Sequence, residues 1–143
     1  MLMGEFFPKL DEKHRIVLPA KFRGEFNDGL VLTKGQDRCI YAYTRTDFEE
    51  LYQRIRQAPS SSRDARNYAR MFLSAASDET PDKQFRVTIP QSLRDYAGLE
   101  RDLAVIGVGS HVEVWDAAQW QQFVTDQEDG YSALEEEVIP GML

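Results

Sequence analysis

The chain has 143 residues, 42% of them hydrophobic and 29% charged, with a formal net charge of −7. That length suits one domain or two small packed repeats, and the composition fits a folded chain rather than global disorder. No apolar run approaches the ~20 residues of a membrane span, the opening Met1-Leu2-Met3-Gly4-Glu5-Phe6-Phe7-Pro8 lacks the basic and apolar regions of a secretory signal, and the single cysteine, Cys39, allows no internal disulfide and is compatible with a reducing cytosol.

In chain order, the first predicted element is a turn from Asp11 to Arg15. It leads into a short strand, Ile16-Val17-Leu18, ended by Pro19, whose missing amide suits a strand end. A helical turn holding Phe22 follows. Strands are predicted over 29–34 and 38–43, joined by Gly35-Gln36-Asp37. A helix comes next, capped either by Thr46, with Glu49 three residues on, or by Thr44. Pro59-Ser60-Ser61-Ser62 breaks the chain and caps a linking helix. Along it Ala65, Tyr68, Ala69, Phe72, Leu73 and Ala76 make one apolar stripe, and Arg63, Arg66 and Arg70 a second, cationic one. The cationic stripe is either solvated, paired with Asp64 or a neighbouring subunit, or in contact with phosphate.

Beyond residue 76 the order repeats. Val87-Thr88-Ile89 ends at Pro90, a helical turn holds Leu93, and strands are predicted over 103–107 and 111–115 around Gly107-Val108-Gly109-Ser110. A closing helix starts at Asp116-Ala117-Ala118-Gln119, read as a capping box in which the Asp116 carboxylate accepts a free amide. The stretch 126–143, with Glu135-Glu136-Glu137 and Pro140-Gly141, reads as a poorly anchored acidic tail. The expected division is a first repeat over 1–56, a linking helix over 57–76, a second repeat over 77–125 and the tail over 126–143.

The repetition is visible residue by residue. Asp11-Glu12-Lys13-His14-Arg15-Ile16-Val17-Leu18-Pro19 and Asp82-Lys83-Gln84-Phe85-Arg86-Val87-Thr88-Ile89-Pro90 both read D-x-x-x-R-[IV]-x-[LI]-P, offset by 71 residues, and Phe22-Arg23 meets Leu93-Arg94. At an offset of 72, Gly35 meets Gly107, Ile40-x-Ala42-Tyr43 meets Val112-x-Val114-Trp115, Phe48 meets Trp120 and Leu51 meets Phe123.

A carboxylate and a guanidinium four residues apart across a turn can form a bidentate pair that sets the turn's shape. In the first copy Lys9, Lys13, His14, Arg15, Lys21 and Arg23 surround this pair against only Asp11 and Glu12; the second copy supplies Lys83 and Arg86 beside Asp82. Charge is also uneven along the chain: residues 1–75 carry 13 Lys+Arg against 10 Asp+Glu, net +3, and residues 76–143 carry 4 against 14, net −10. An acidic chain can still bind DNA when its cations share a face. Two readings of the motif stand side by side. In one, Asp11 and Asp82 are structural and Arg15 and Arg86 brace the turns. In the other, Lys13, His14, Arg15, Lys21, Arg23, Lys83 and Arg86 meet DNA. Contact is expected for Arg15 and bracing for Arg86.

The paired motif resembles the MraZ family of bacterial transcriptional regulators, related to the AbrB and MazE DNA-binding folds. The resemblance covers roughly residues 1–125. It implies an α+β, mainly β fold: two swapped-hairpin AbrB-like repeats forming a compact double-split β-barrel-like core with added helices. It also implies ring-like homo-oligomers on short G-rich direct repeats upstream of division and cell-wall genes, and places the motif on Asp11 with Arg15 and Asp82 with Arg86. The family pattern usually has Gly just before the Arg, where this chain has His14 and Phe85. Gly is favoured where φ is positive, so either the turn is altered here or it never needed positive φ; Phe85 then packs against a neighbour rather than facing DNA.

No pattern points to an enzyme. Gly107-x-Gly109-Ser110 lacks the longer glycine pattern and Lys of a phosphate loop, and two histidines with one cysteine give no metal spacing. Cys39, paired on paper with His14 or His111, sits in a strand-like segment where packing is the usual role. Tyr41, Tyr43, Trp115 and Trp120 read as core or interface aromatics. No cofactor, metal, membrane or small-molecule substrate is expected. The leading reading is a cytoplasmic, nucleoid-associated regulator of double-stranded DNA acting as a homo-oligomer larger than a dimer. The alternative is an antitoxin-like protein-binding module or scaffold on the same fold.

Overall fold

In the structure, a computed structural model that describes residues 1–142, the two repeats are woven through each other rather than set side by side. The first half holds β1 (Leu2–Phe6), β2 (Arg15–Val17), a 3-10 turn (Ala20–Phe22), α1 (Arg23–Phe26), β3 (Leu30–Lys34), β4 (Ile40–Thr44) and α2 (Arg45–Gln57). After the linking helix α3 (Arg63–Ser74) come β5 (Ser77–Glu79), β6 (Arg86–Thr88), α4 (Gln91–Ala97), β7 (Leu103–Gly109), β8 (Val112–Asp116) and α5 (Ala117–Ser132). Six strands form one antiparallel sheet in the order β1-β7-β8-β4-β3-β5, and β2 pairs with β6 in a separate two-stranded ribbon. The α+β class and the two-repeat plan hold; among the described residues the strands make an open sheet and a ribbon, not a closed barrel.

Each half lends its first strand to the other. β1 pairs with β7, Leu2 opposite Gly109 and Phe6 opposite Val105. β5 pairs with β3, Leu30 opposite Glu79. The hairpins β3–β4 and β7–β8 join through β4 and β8, where Ile40 faces Val114. Glycine at 107 permits the first exchange: a Cβ there would lie 2.4 Å from the Met3 backbone nitrogen. Arg45 fastens the other exchange, its Nε donating to Asp78 at 2.8 Å and a terminal nitrogen to Thr80 at 3.0 Å.

The main core lies between the sheet and the ribbon. Ile16, Leu18, Phe22 and Phe26 interleave there with Val87, Ile89, Leu93 and Ala97, all at most 5% exposed. Phe6, partly buried, meets Phe22 edge-on at 5.1 Å. A smaller cluster of Cys39, Ala104, Ile106 and Trp115, with Tyr41 and Trp120 packed against it, forms a second core. The linking helix docks through Phe72, whose carbonyl accepts from the buried Thr33 hydroxyl at 2.6 Å and whose ring stacks on Phe48. Of its expected apolar stripe, Tyr68 remains half exposed.

Three local expectations resolve. Thr44, not Thr46, caps α2, accepting from the Asp47 amide at 3.1 Å. Ser62 caps α3 through the Ala65 amide. Asp116 stands at the N-cap of α5 without a side-chain capping bond; its carboxylate instead accepts from the Glu100 amide at 3.2 Å, tying the helix start to the loop before β7. α5 runs on to Ser132, past residue 125.

Candidate nucleic-acid interface

The two motif turns have one geometry. In the first, the Asp11 amide donates to the Arg15 carbonyl at 2.9 Å and the His14 amide to the Asp11 carbonyl at 3.0 Å. Oδ1 of Asp11 accepts from the amides of Lys13 and Arg15, both at 2.9 Å, and Oδ2 accepts from Arg15 Nε at 2.8 Å. In the second, Oδ1 of Asp82 accepts from the Gln84 and Arg86 amides at 2.9 Å, and Oδ2 from Arg86 Nε at 2.7 Å. The expected bidentate fork is therefore not formed. One carboxylate oxygen organises the backbone and the other meets a single nitrogen of the guanidinium, so each pair leaves the terminal guanidinium nitrogens out of the turn's own bonding.

The backbone amide of Arg15, above all, holds the Asp11 carboxyl below its ordinary range, and the Arg86 amide does the same for Asp82; desolvation opposes this in both, and the arginine side-chain bond adds to the lowering. Groups whose folded pKa is depressed add stability above the unfolded carboxylate value and lose it as pH falls through the folded value. The wild type is therefore expected to lose stability on acidification through and below the ordinary Asp range. A doubly substituted Asp11→Asn, Asp82→Asn chain should show a shallower acid limb in melting temperature against pH; an unchanged limb would contradict the assignment.

The position before each Arg carries positive φ without glycine. His14 and Phe85 both sit at φ 61°. The alternative in which the turn never needed positive φ is thus corrected: both turns adopt it, with two bulky residues in place of glycine. An L-residue in this region costs roughly 1–2 kcal/mol, against roughly 0.5–1 kcal/mol of extra unfolded-state entropy for glycine. His14→Gly is therefore expected to raise stability by about 0.5–1 kcal/mol, read as a Tm a few degrees higher.

The turns also hold each other. β2 and β6 run antiparallel, with Arg15 opposite Thr88 and Val17 opposite Arg86, so the turns lie at opposite ends of the ribbon. The Ile89 amide donates to the His14 carbonyl and the Leu18 amide to the Phe85 carbonyl, each at 2.9 Å. Ile16 and Val87 point into the core, while Val17 and Thr88 are exposed and Arg15 and Arg86 half-buried on the outer face.

Of the sequence-chosen contact residues, Lys13, His14, Lys21 and Lys83 are exposed, the first two and Lys83 on the turns. Arg23 is engaged within the chain: its Nε donates to the Leu18 carbonyl at 3.0 Å, and its guanidinium lies 4.4 Å above the Phe85 ring. Phe85 thus packs through a cation–π contact with Arg23. Arg94, the repeat counterpart of Arg23 and no part of the expected contact set, has the same role: its Nε donates to the Ile89 carbonyl at 3.0 Å, closing the second strand end as Arg23 closes the first.

Arg66 donates to the Ser60 carbonyl and Arg70 to Asn67, and no ion pair to Asp64 forms among the described residues. Cys39 is 1% exposed and its thiol donates to the Gln36 carbonyl; burial, followed by the Glu113 and Asp37 charges, pushes its pKa well above the ordinary value, opposite to what a nucleophile needs. His111 is occupied by Ser110 and Glu113. No group of metal ligands forms among the described residues, and no helix there is long and apolar enough to cross a membrane.

The sequence model of the family described as MraZ protein matches the chain twice, over residues 1–71 and 71–140. The chain belongs to the MraZ family. The transcriptional regulator MraZ of Clavibacter michiganensis subsp. michiganensis is 58% identical over 142 residues, covering 99% of each chain. That of Kocuria rhizophila is 57% identical over the same share, and that of Kineococcus radiotolerans 50% identical over all of both chains. These MraZ proteins carry the name of regulators, not of an enzyme class, in keeping with the non-enzymatic reading. The two matched segments meet at residue 71, within α3, so the MraZ unit is one interwoven half.

Proposed function

We propose that the chain is a sequence-specific DNA-binding transcription regulator, cytoplasmic and nucleoid-associated, acting as a homo-oligomer on short direct repeats upstream of division and cell-wall genes. The observation that carries this reading is the ribbon with a matching braced turn at each end and Arg15 and Arg86 on its outer face. Arginines preset by a carboxylate lose little freedom when they meet a phosphate or a guanine edge. The naming of the relatives supports the regulatory role. The ring-like assembly rests on the two similar units per chain, which suit head-to-tail closure.

The test is selection of bound sequences from random double-stranded DNA, followed by a salt titration on the recovered site. Enrichment of a repeated motif, with log affinity falling steeply against log salt, is expected. Light scattering should give a species larger than a dimer. The second reading, a protein-binding module or antitoxin-like scaffold, is favoured by the net charge of −7 and the strongly acidic second half. No enriched motif, together with salt-insensitive DNA binding, would leave that one standing.

A further inference from the structure

The ribbon's outer face has a composition that a purely phosphate-binding surface does not need. It consists of four side chains: Arg15 opposite Thr88, and Val17 opposite Arg86. The two arginines are diagonal neighbours, and between them Val17 is 45% exposed. A lone exposed valine is unremarkable on most surfaces. Here it is flanked by two cations, both fixed by carboxylates, on the one face of the ribbon turned away from the core.

Size and charge identify what could cover this face. Three residues of strand span about 10 Å. A major groove is about 12 Å wide and admits a two-stranded ribbon. With the outer face in the groove, Lys13 on one turn and Lys83 on the other fall toward the two phosphate walls, while the central side chains face base edges. In that position a branched apolar side chain has one complementary partner, the C5 methyl of thymine; a hydroxyl has the hydrogen-bonding edges.

Resting on the DNA-binding reading above, we propose that Val17 is a specificity-determining residue: it packs against a thymine methyl in the major groove, while its repeat counterpart Thr88 meets a hydrogen-bonding base edge. The repeat makes the ribbon two-fold in its backbone and its arginines, and Val17 against Thr88 breaks that symmetry on the reading face. The two ends of one ribbon therefore read different bases, which gives each chain a direction on its site. A perfectly two-fold face would favour palindromic half-sites; this one favours sites repeated head to tail.

The experiment uses the full chain and the site it selects from random DNA. Each thymine in that site is replaced in turn by deoxyuridine, which lacks only the methyl, and affinities are measured for the wild type, Val17→Ala and Val17→Thr. Melting temperature and oligomer size are recorded for all three. Val17→Thr keeps the branched shape and strand preference should Val17→Ala disturb the ribbon. At one thymine, loss of the methyl is expected to weaken the wild type about fourfold, the effect of exposing one methyl group, and to leave Val17→Ala unchanged. Val17→Thr should shift the base selected at that position. Equal responses of wild type and Val17→Ala at every thymine, or a selected site without thymine, would overturn the role of Val17 while leaving the DNA-binding reading intact. Failure of the wild type to select any sequence would instead strike at that reading itself.

Discussion

Replacing Arg15 with alanine should leave a folded, normally assembled protein that has lost nearly all affinity for its selected site. The turn does not depend on the guanidinium for its shape. Oδ1 of Asp11 still collects the Lys13 and Arg15 amides, and the two backbone bonds across the turn remain. Asp11 Oδ2 loses one partner but stands where water can replace it, since the side chain is 35% exposed. The functional loss is larger: each contact to a base edge is worth about 1–3 kcal/mol, and contacts made by several subunits on one repeated site compound. If Arg15 meets only phosphate, the loss is more uniform over sequences and the salt slope shrinks by about one. Arg86→Ala is expected to behave in the same way. Bracing was expected for Arg86 alone, but both arginines brace through the same single bond and keep their terminal nitrogens out of the turn. An Arg15→Ala protein that assembles and binds with wild-type affinity would remove the contact role.

Cutting the chain between its repeats should abolish folding of both pieces. A fragment of residues 1–76 keeps the β3–β4 hairpin and α2, but β1 has lost β7, β2 has lost β6, and β3 has lost β5. Phe22 and Phe26 then lack Leu93, Val87 and Ile89 among their core neighbours. A chain this short has little margin for such exposure. Neither fragment is expected to show cooperative thermal unfolding as a monomer, and mixing the two should restore both the transition and DNA binding. A monomeric 1–76 fragment with a sharp melting transition would contradict this.

Sequence reasoning reached the parts of the molecule that are local. The turn, the short strand and its closing proline announce themselves within nine residues, twice, and the hairpins around Gly35 and Gly107–Ser110 follow from apolar runs and turn chemistry. β1 and β5 are not legible in the sequence. Leu2 is the only fully buried residue of β1, and none of β5 is, so neither strand carries a strong apolar signature; their existence depends on partners far along the chain. The caps show the same limit. Thr44 and Ser62 act on amides three residues away, whereas Asp116 was diverted by an amide at position 100 that no local pattern reveals. At the site, the charged residues were legible but their engagement was not: Arg23 is tied to Leu18 and Phe85, and the tolerance of positive φ at His14 and Phe85 depends on bonds made across the ribbon.

The exchange of first strands also sets the order in which the molecule can be made. Leu2 precedes its ladder partner, Gly109, by 107 residues. β1 must therefore wait, unpaired, while more than a hundred residues are added, and at the usual pace of synthesis that takes on the order of 5–20 seconds. Closing so long a loop slows folding far more than it costs in stability. The nascent first half leaves the ribosome with open strand edges and an unfilled core, the condition under which chains pair with the wrong neighbour. On a polysome the nearest wrong neighbour is an identical first half, whose β3 offers the same kind of edge. The interweaving that makes the finished chain indivisible thus makes its birth the moment of greatest exposure to aggregation, and folding should be more sensitive to expression rate and temperature than equilibrium stability alone would suggest.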